Sequence, residues 1–206
     1  MKHVMLDLET MGTKPYSAII GIGAAYFDPR GNSILDSFHV TIDPELAQKR
    51  GFRIDAGTVS WWLAPEQRPA WDKFLSIAHF SPDDAFNGFG QWLDTVGLRE
   101  EIAFWGNGAG FDCNLMHNAA DLMGIGYVKK DGNMVDGLWP HWNDRCFRTI
   151  KNLTHYPKQS ADNLAQPIRA KDVVPPFEGT PHVAVDDAIH QARWLQAICN
   201  TFDLAI

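Results

Sequence analysis

The amino-acid sequence predicts an α/β fold in which a mixed sheet, an antiparallel meander joined to parallel strands, carries helices on both faces. Three observations predict it. Near the N-terminus, three β-like runs are joined by turns too short for a crossover, which makes them antiparallel neighbours. Two later apolar runs, residues 102–105 and the pair Cys146-Phe147, each lead directly into a helix-like stretch. The last part of the chain reads as one long amphipathic helix.

The elements follow in order. Val4-Met5-Leu6-Asp7-Leu8-Glu9-Thr10 alternates as a strand, with Leu6 and Leu8 set against Met5, Asp7 and Glu9. Residues 18–27 read as a buried strand whose glycines and alanines admit a close neighbour. After the turn Asp28-Pro29-Arg30-Gly31-Asn32, residues 33–42 alternate again. Residues 43–51 are expected to be a connector. Asp55 or Thr58 caps a helix carrying Val59, Trp61, Trp62 and Leu63, which Pro65 and Pro69 interrupt. Ser81-Pro82-Asp83-Asp84 opens another helix, with Phe86, Phe89, Trp92, Leu93 and Val96 at helical spacing and Gly97 as its stop. Residues 102–105 form a short strand that runs through glycines into a helix over 111–123. Residues 124–142 read as loop. A last short strand at Cys146 and Phe147 precedes a helix start near Arg148, and residues 158–180, with three prolines, read as irregular. The final helix covers 183–200, with Val185, Ala188, Ile189, Ala192, Leu195 and Cys199 as its apolar stripe.

Bulk properties narrow the function. The 206 residues suffice for one domain with a real core, and 1–206 is expected to be that domain. No apolar run approaches the roughly 18–20 residues that span a bilayer, and Asp7 and Glu9 interrupt any signal-peptide core. Three scattered cysteines without C-x-x-C spacing point to reduced thiols, a cytoplasmic protein and no zinc site. The net charge of −7 argues against a polyanion partner, but the charge is uneven. Arg145, Arg148, Lys151, Lys158, Arg169 and Lys171 face only Asp162 within their stretch, a local balance that suits phosphate.

Three sequence features carry chemistry. Asp7 and Glu9 share a strand face about 7 Å apart along the strand. Two carboxylates so placed repel unless something positive sits between them, and a hard divalent cation such as Mg²⁺ or Mn²⁺ is the simplest candidate; the alternative is a solvated polar face. Asp112 follows a strand and opens a helix, where α/β proteins place their sites, though it would also serve as a plain cap. His182-Val183-Ala184-Val185-Asp186-Asp187 is the third. Residues five apart on a helix differ by about 140° in direction. His182 and Asp187 therefore share a site only if His182 lies in the loop after Gly179-Thr180-Pro181, from which it can take a proton from water. Spacing alone does not separate Asp186 from Asp187.

Asp7-x-Glu9, Phe111-Asp112 and His182-x-Ala184-x-x-Asp187 resemble, in order and separation, the three motifs of the DEDDh 3′→5′ exonuclease superfamily. Asp7-Leu8-Glu9-Thr10-Met11-Gly12 with Trp61-Trp62 downstream looks most like its phage and prophage branch, which includes T4 exonuclease A and exodeoxyribonuclease VIII and is related to a mycobacterial exoribonuclease. One departure stands out: Asn107-Gly108-Ala109-Gly110 replaces the more usual His-Asn-Ala-x before Phe111-Asp112. The resemblance implies a ribonuclease-H-like fold with a five-stranded mixed sheet. It also implies two divalent ions, Mg²⁺ or Mn²⁺. Asp7 would bridge both, Glu9 and Asp187 would hold the one beside the nucleophile, and Asp112 the other. His182 would be the general base, and the family pattern chooses Asp187 over Asp186, so Asp186→Ala should be mild. The substrate would be a nucleic acid with a free 3′ end, a single strand or 3′ overhang, and the product a 5′-nucleoside monophosphate.

Several residues are candidate substrate contacts. Leu8, Thr10 and Met11 flank the first motif and Phe111 the second. Trp61 and Trp62 suit base stacking, although adjacent helical residues diverge and one of them belongs to the core. Arg148, in the basic stretch, suits a phosphate. His190 reads as a supporting or surface group, the other histidines and Cys113 as structural. Two alternatives stand beside this reading: an enzyme restricted to short oligoribonucleotides, and a non-catalytic binding module of the same fold. DNA and RNA both stay open, since the choice rests on how one pocket treats a 2′-hydroxyl. No membrane partner is expected, and a homodimer is compatible with the sequence.

Overall fold

The computed structural model describes residues 1–156 and 166–206, so Lys158 and Asp162 of the basic stretch lie outside the described residues. Strands β1 (Lys2–Thr10), β2 (Ile19–Phe27) and β3 (Ile34–Ile42) form the expected antiparallel meander. The segment expected to be a connector is instead helix α1 (Pro44–Arg50). Its signals are local: Asp43 accepts from the N–H groups of Glu45 and Leu46, a proline opens the first turn, and Gly51 closes it at φ 110°. Helix α2 (Ala56–Trp62) is capped by Asp55, whose carboxylate accepts from Thr58 N–H. The prolines then end α2 but start α3 (Arg68–Leu75), where Pro69 occupies the first turn.

A short strand β4 (His79–Phe80) pairs parallel with β3. Ser81 caps α4 (Pro82–Val96), and β5 (Ile102–Gly106) leads into α5 (Asp112–Met123). The expected loop at 124–142 contains a small hairpin, β6 (Gly126–Val128) with β7 (Met134–Asp136). Then come β8 (Asp144–Cys146), α6 (Phe147–Lys151), the paired β9 (Thr154–His155) and β10 (Ile168–Arg169), and the long α7 (Ala184–Phe202). Among the described residues no helix is long and apolar enough to cross a membrane.

The main sheet has six strands, not five, in the order β4-β3-β2-β1-β5-β8. The extra strand is the two-residue β4, too short to leave a period in the sequence. Strand β1 is central, antiparallel to β2 and parallel to β5. It is not one-sided as its alternation suggests. Val4, Leu6 and Leu8 pack into the core beneath α1, α2, α4 and α5, while Met5 packs with Ala188, Ala192 and Leu195 of α7. A strand covered on both faces reads as nearly continuous apolar residues, so its two carboxylates are exceptions that need a reason.

Candidate active site

Asp7 and Glu9 stand on the β1 face covered by α7, near the carboxyl end of the strand. Opposite them on β2 lie Gly23 and Gly21. Gly23 has to be glycine, because a Cβ there would sit 2.0 Å from the carbonyl carbon of Ala184. That close approach seats the first turn of α7 on the sheet and brings Asp187 to β1. Gly106, at the end of β5, plays the same part for the second motif: a Cβ there would lie 2.8 Å from an Asp112 carboxylate oxygen. The small residues noted in the sequence thus let two helix starts close on one strand end.

The four carboxylates lie at one site, Asp112 buried and Asp7, Glu9 and Asp187 half-buried. Burial raises Asp7 well above the usual carboxylate range, and the charges of Asp112, Glu9 and Asp187 raise it further against a hydrogen bond from Gln191. Burial, then the charges of Asp187 and Asp112, raise Glu9 to about 8. Asp112 is raised to about 7 by burial, although it accepts from its own N–H and those of Leu8 and Asn107 and faces the Arg148 charge. Desolvation therefore outweighs the helix N-terminus here. Asp187 is also raised by burial, opposed by the His182 N–H.

His182 does precede the helix. It adopts φ 64°, a left-handed conformation that costs a non-glycine residue on the order of 1 kcal/mol. Two contacts hold it there: its N–H donates to Asp187 Oδ2 at 2.6 Å, and its ring stands edge-on to Trp61 at 5.1 Å between centroids. Each of Glu9, His182 and Asp187 offers a ligand atom within 4.8 Å of the others. Asp186 has a different task. Its Oδ2 accepts from Thr180 N–H at 2.8 Å and lies 3.5 Å from Lys73 Nζ, so it braces the loop that carries His182.

A groove beside Glu9 is lined by Leu8, Thr10, Thr13, Asp55, Thr58, Trp61, Trp62 and Phe111, among others. Five of the expected substrate contacts line it. Met11 does not: it is packed into the core at 6% exposure. Trp62 is 4% exposed and donates to Thr10 O at 3.0 Å, whereas Trp61 is 43% exposed, which separates the core tryptophan from the groove tryptophan. Arg148 sits apart from the groove, donating to Asn107 O at 2.9 Å above Asp112. Sequence reasoning missed Thr13, Lys73 and Gln191. Gln191 was legible, being four residues after Asp187 and so on the same helix face.

This donor set suits a hard divalent cation. It is all oxygen apart from His182, it gathers carboxylates with no lysine or arginine at ion-pair distance among the described residues, and the buried Gln191 Oε1 at its edge has no hydrogen-bond partner among the described residues.

The architecture is shared with solved nucleases. The chain is similar to cell-death related nuclease 4 at 18% identity and a TM-score of 0.55, over 97% of this chain and 64% of that one. It is similar to the nuclease domain of 3′hExo, a DEDDh family member bound to rAMP, at 12% identity and 0.55, over 100% and 95%. It is also similar to a chain of an ExoI/SSB-Ct complex at 15% and 0.52, over 98% of this chain and 41% of that one. These likenesses establish the ribonuclease-H-like fold. Comparison with curated protein sequences gave no match. A family model matches residues 2–199, nearly the whole chain, and by that match the chain belongs to the 3′-5′ exoribonuclease Rv2179c-like domain family.

Proposed function

We propose that the protein is a metal-dependent 3′→5′ exonuclease that shortens RNA strands from the 3′ end and releases 5′-nucleoside monophosphates. The observation that carries this reading is the convergence of four carboxylates, Asp112 buried and Asp7, Glu9 and Asp187 half-buried, with His182 on a braced loop at the end of β1. RNA is favoured by the family's description and by the Thr13 and Thr58 hydroxyls in the groove, which suit a ribose.

Asp7, Glu9, Asp112 and Asp187 would hold two divalent ions, Mg²⁺ or Mn²⁺, which supply charge stabilisation at the phosphate and make a water more acidic. The remaining work falls to the chain's own residues. Trp61 stacks on the 3′-terminal base, leaving the terminal phosphodiester over Glu9 and Asp187. His182 takes the proton of the attacking water, whose oxygen bonds to phosphorus as the bond to the 3′-oxygen of the preceding nucleotide breaks. Its side chain is at the rim, so the proton then passes to solvent. Arg148 and Lys151 have no carboxylate within ion-pair distance among the described residues, and burial, then the neighbouring Arg148 charge, lowers the lysine's pKa. Two such cations one helical turn apart suit a strand with several phosphates more than a dinucleotide.

The test is product analysis of 5′-labelled RNA and DNA of graded length with Mg²⁺, Mn²⁺ or chelator. A metal-dependent ladder from the 3′ end, faster on RNA, is expected. No shortening under any metal by folded protein would leave the binding-module reading in its place. The 4.8 Å grouping of Glu9, His182 and Asp187 favours a second role for His182, as a metal ligand. His182→Ala separates the two: a base variant loses turnover but keeps Mn²⁺ affinity, and a ligand variant loses both.

A further inference from the structure

Gln191 lies on α7 four residues beyond Asp187, about 40° away around the helix, so both face β1. It is 6% exposed. Its Nε2 donates to Asp7 Oδ1 at 2.8 Å. Its Oε1 is buried without a hydrogen-bond partner among the described residues. The orientation of the amide follows from charge: the reverse flip would set Oε1 against a carboxylate oxygen and leave the donor unused. A glutamine in this place is not explained by packing. A leucine or methionine would fill about the same volume without burying an unpaired oxygen, whose cost is of the same order as a lost hydrogen bond.

We infer that Gln191 is a positioning residue for the cation site, orienting Asp7 through Nε2 and accepting through Oε1 a hydrogen bond from the cation's hydration shell. Three properties suit it to that work. It donates to Oδ1 of Asp7 and makes no hydrogen bond to Oδ2. It is neutral, so it fixes a carboxylate without supplying the positive charge that would compete with a cation, as lysine or arginine would. And its second polar atom, on the same amide group, is left without a partner until a donor arrives. Outer partners of this kind, hydrogen-bonded to a ligating carboxylate, commonly change metal affinity about 10–100-fold. This inference rests on the metal reading of the carboxylate cluster.

The experiment measures Mn²⁺ binding directly, by electron paramagnetic resonance of free Mn²⁺ in titrations without substrate. The proteins are the wild type, Gln191→Met and Gln191→Asn. Methionine keeps the volume and removes the amide, and asparagine keeps the amide but withdraws it by one methylene. Gln191→Met should weaken Mn²⁺ binding about tenfold or more, while its melting temperature in chelator stays close to that of the wild type. A role in packing alone predicts the opposite order, methionine binding like the wild type and asparagine suffering more. Wild-type affinity in folded Gln191→Met overturns the inference. If Gln191→Met does not fold, Gln191→Asn serves alone: wild-type affinity there overturns the inference too. Failure of the wild type itself to bind Mn²⁺ overturns the metal reading, and this inference with it. Weakening confined to the variants supports both.

Discussion

Replacing Glu9 by glutamine should make the metal-free protein more stable and nearly inactive. In the metal-free fold Glu9 titrates near 8, raised by burial and by Asp187 and Asp112, against 4.5 when unperturbed. Between those values the native state keeps a proton that the unfolded chain has lost. Native stability therefore falls as pH rises from about 4.5 to about 8, at about 1.4 kcal/mol per pH unit. At pH 7 the accumulated penalty is about 3 kcal/mol. Glutamine has the same shape and no charge to lose, and its amide can donate to Asp187. Glu9→Gln in chelator should thus gain about 2–3 kcal/mol at pH 7, on the order of 5–10 °C for a chain of this length, and nothing near pH 4. Thermal and urea unfolding at the two pH values read this directly. Excess Mn²⁺ should raise the melting temperature of the wild type far more than that of the variant, because the ions offset charges that the variant lacks in part. A variant that is destabilised in chelator at pH 7, or that gains equally at pH 4, would refute the electrostatic argument.

The two tryptophans should separate cleanly. Trp61→Ala should raise KM about tenfold or more through lost stacking, with little change in melting, whereas Trp62→Ala should cost about 3–5 kcal/mol of stability through its buried ring. Asp186→Ala should lower kcat more than the sequence alone suggests while leaving Mn²⁺ affinity in place, since it frees the loop carrying His182; Asp186→Asn, which can still accept from Thr180 N–H, should recover much of the loss. Turnover unaffected by Asp186→Ala would remove the bracing role. Arg148→Ala should reduce the slope of log affinity against log salt by about 0.7, the contribution of one phosphate contact to a single strand. An unchanged slope would place Arg148 in a structural role, holding Asn107 above Asp112.

Much of the fold was legible because its signals are local. The meander is written in turns, α4 in Ser81-Pro82, α2 in Asp55, and α7 in a helical stripe. Helix α1 was equally local, from Asp43 to Gly51: its cap, its N-terminal proline and its closing glycine were all present in the sequence. Strand β4 and the hairpin of β6 and β7 were not legible, because two or three residues cannot display a period and their pairing is fixed by neighbours distant in sequence.

For the site, the sequence by itself determined which carboxylates exist and that Asp7 and Glu9 share a strand face, and it made a shared site for His182 and Asp187 conditional on His182 preceding the last helix. These follow from the strand and helix periods, which are properties of neighbouring residues. The tertiary structure decided the rest. It turned Asp187 to the cluster and Asp186 to Thr180 and Lys73, buried Met11, split Trp61 from Trp62, and set Gln191 against Asp7. It also decided that burial outweighs the helix N-terminus at Asp112. The placement of Asp187 and Asp112 depends on how closely the starts of α7 and α5 approach the sheet, at Gly23 of β2 and Gly106 of β5, and contact across that distance in sequence has no local signature.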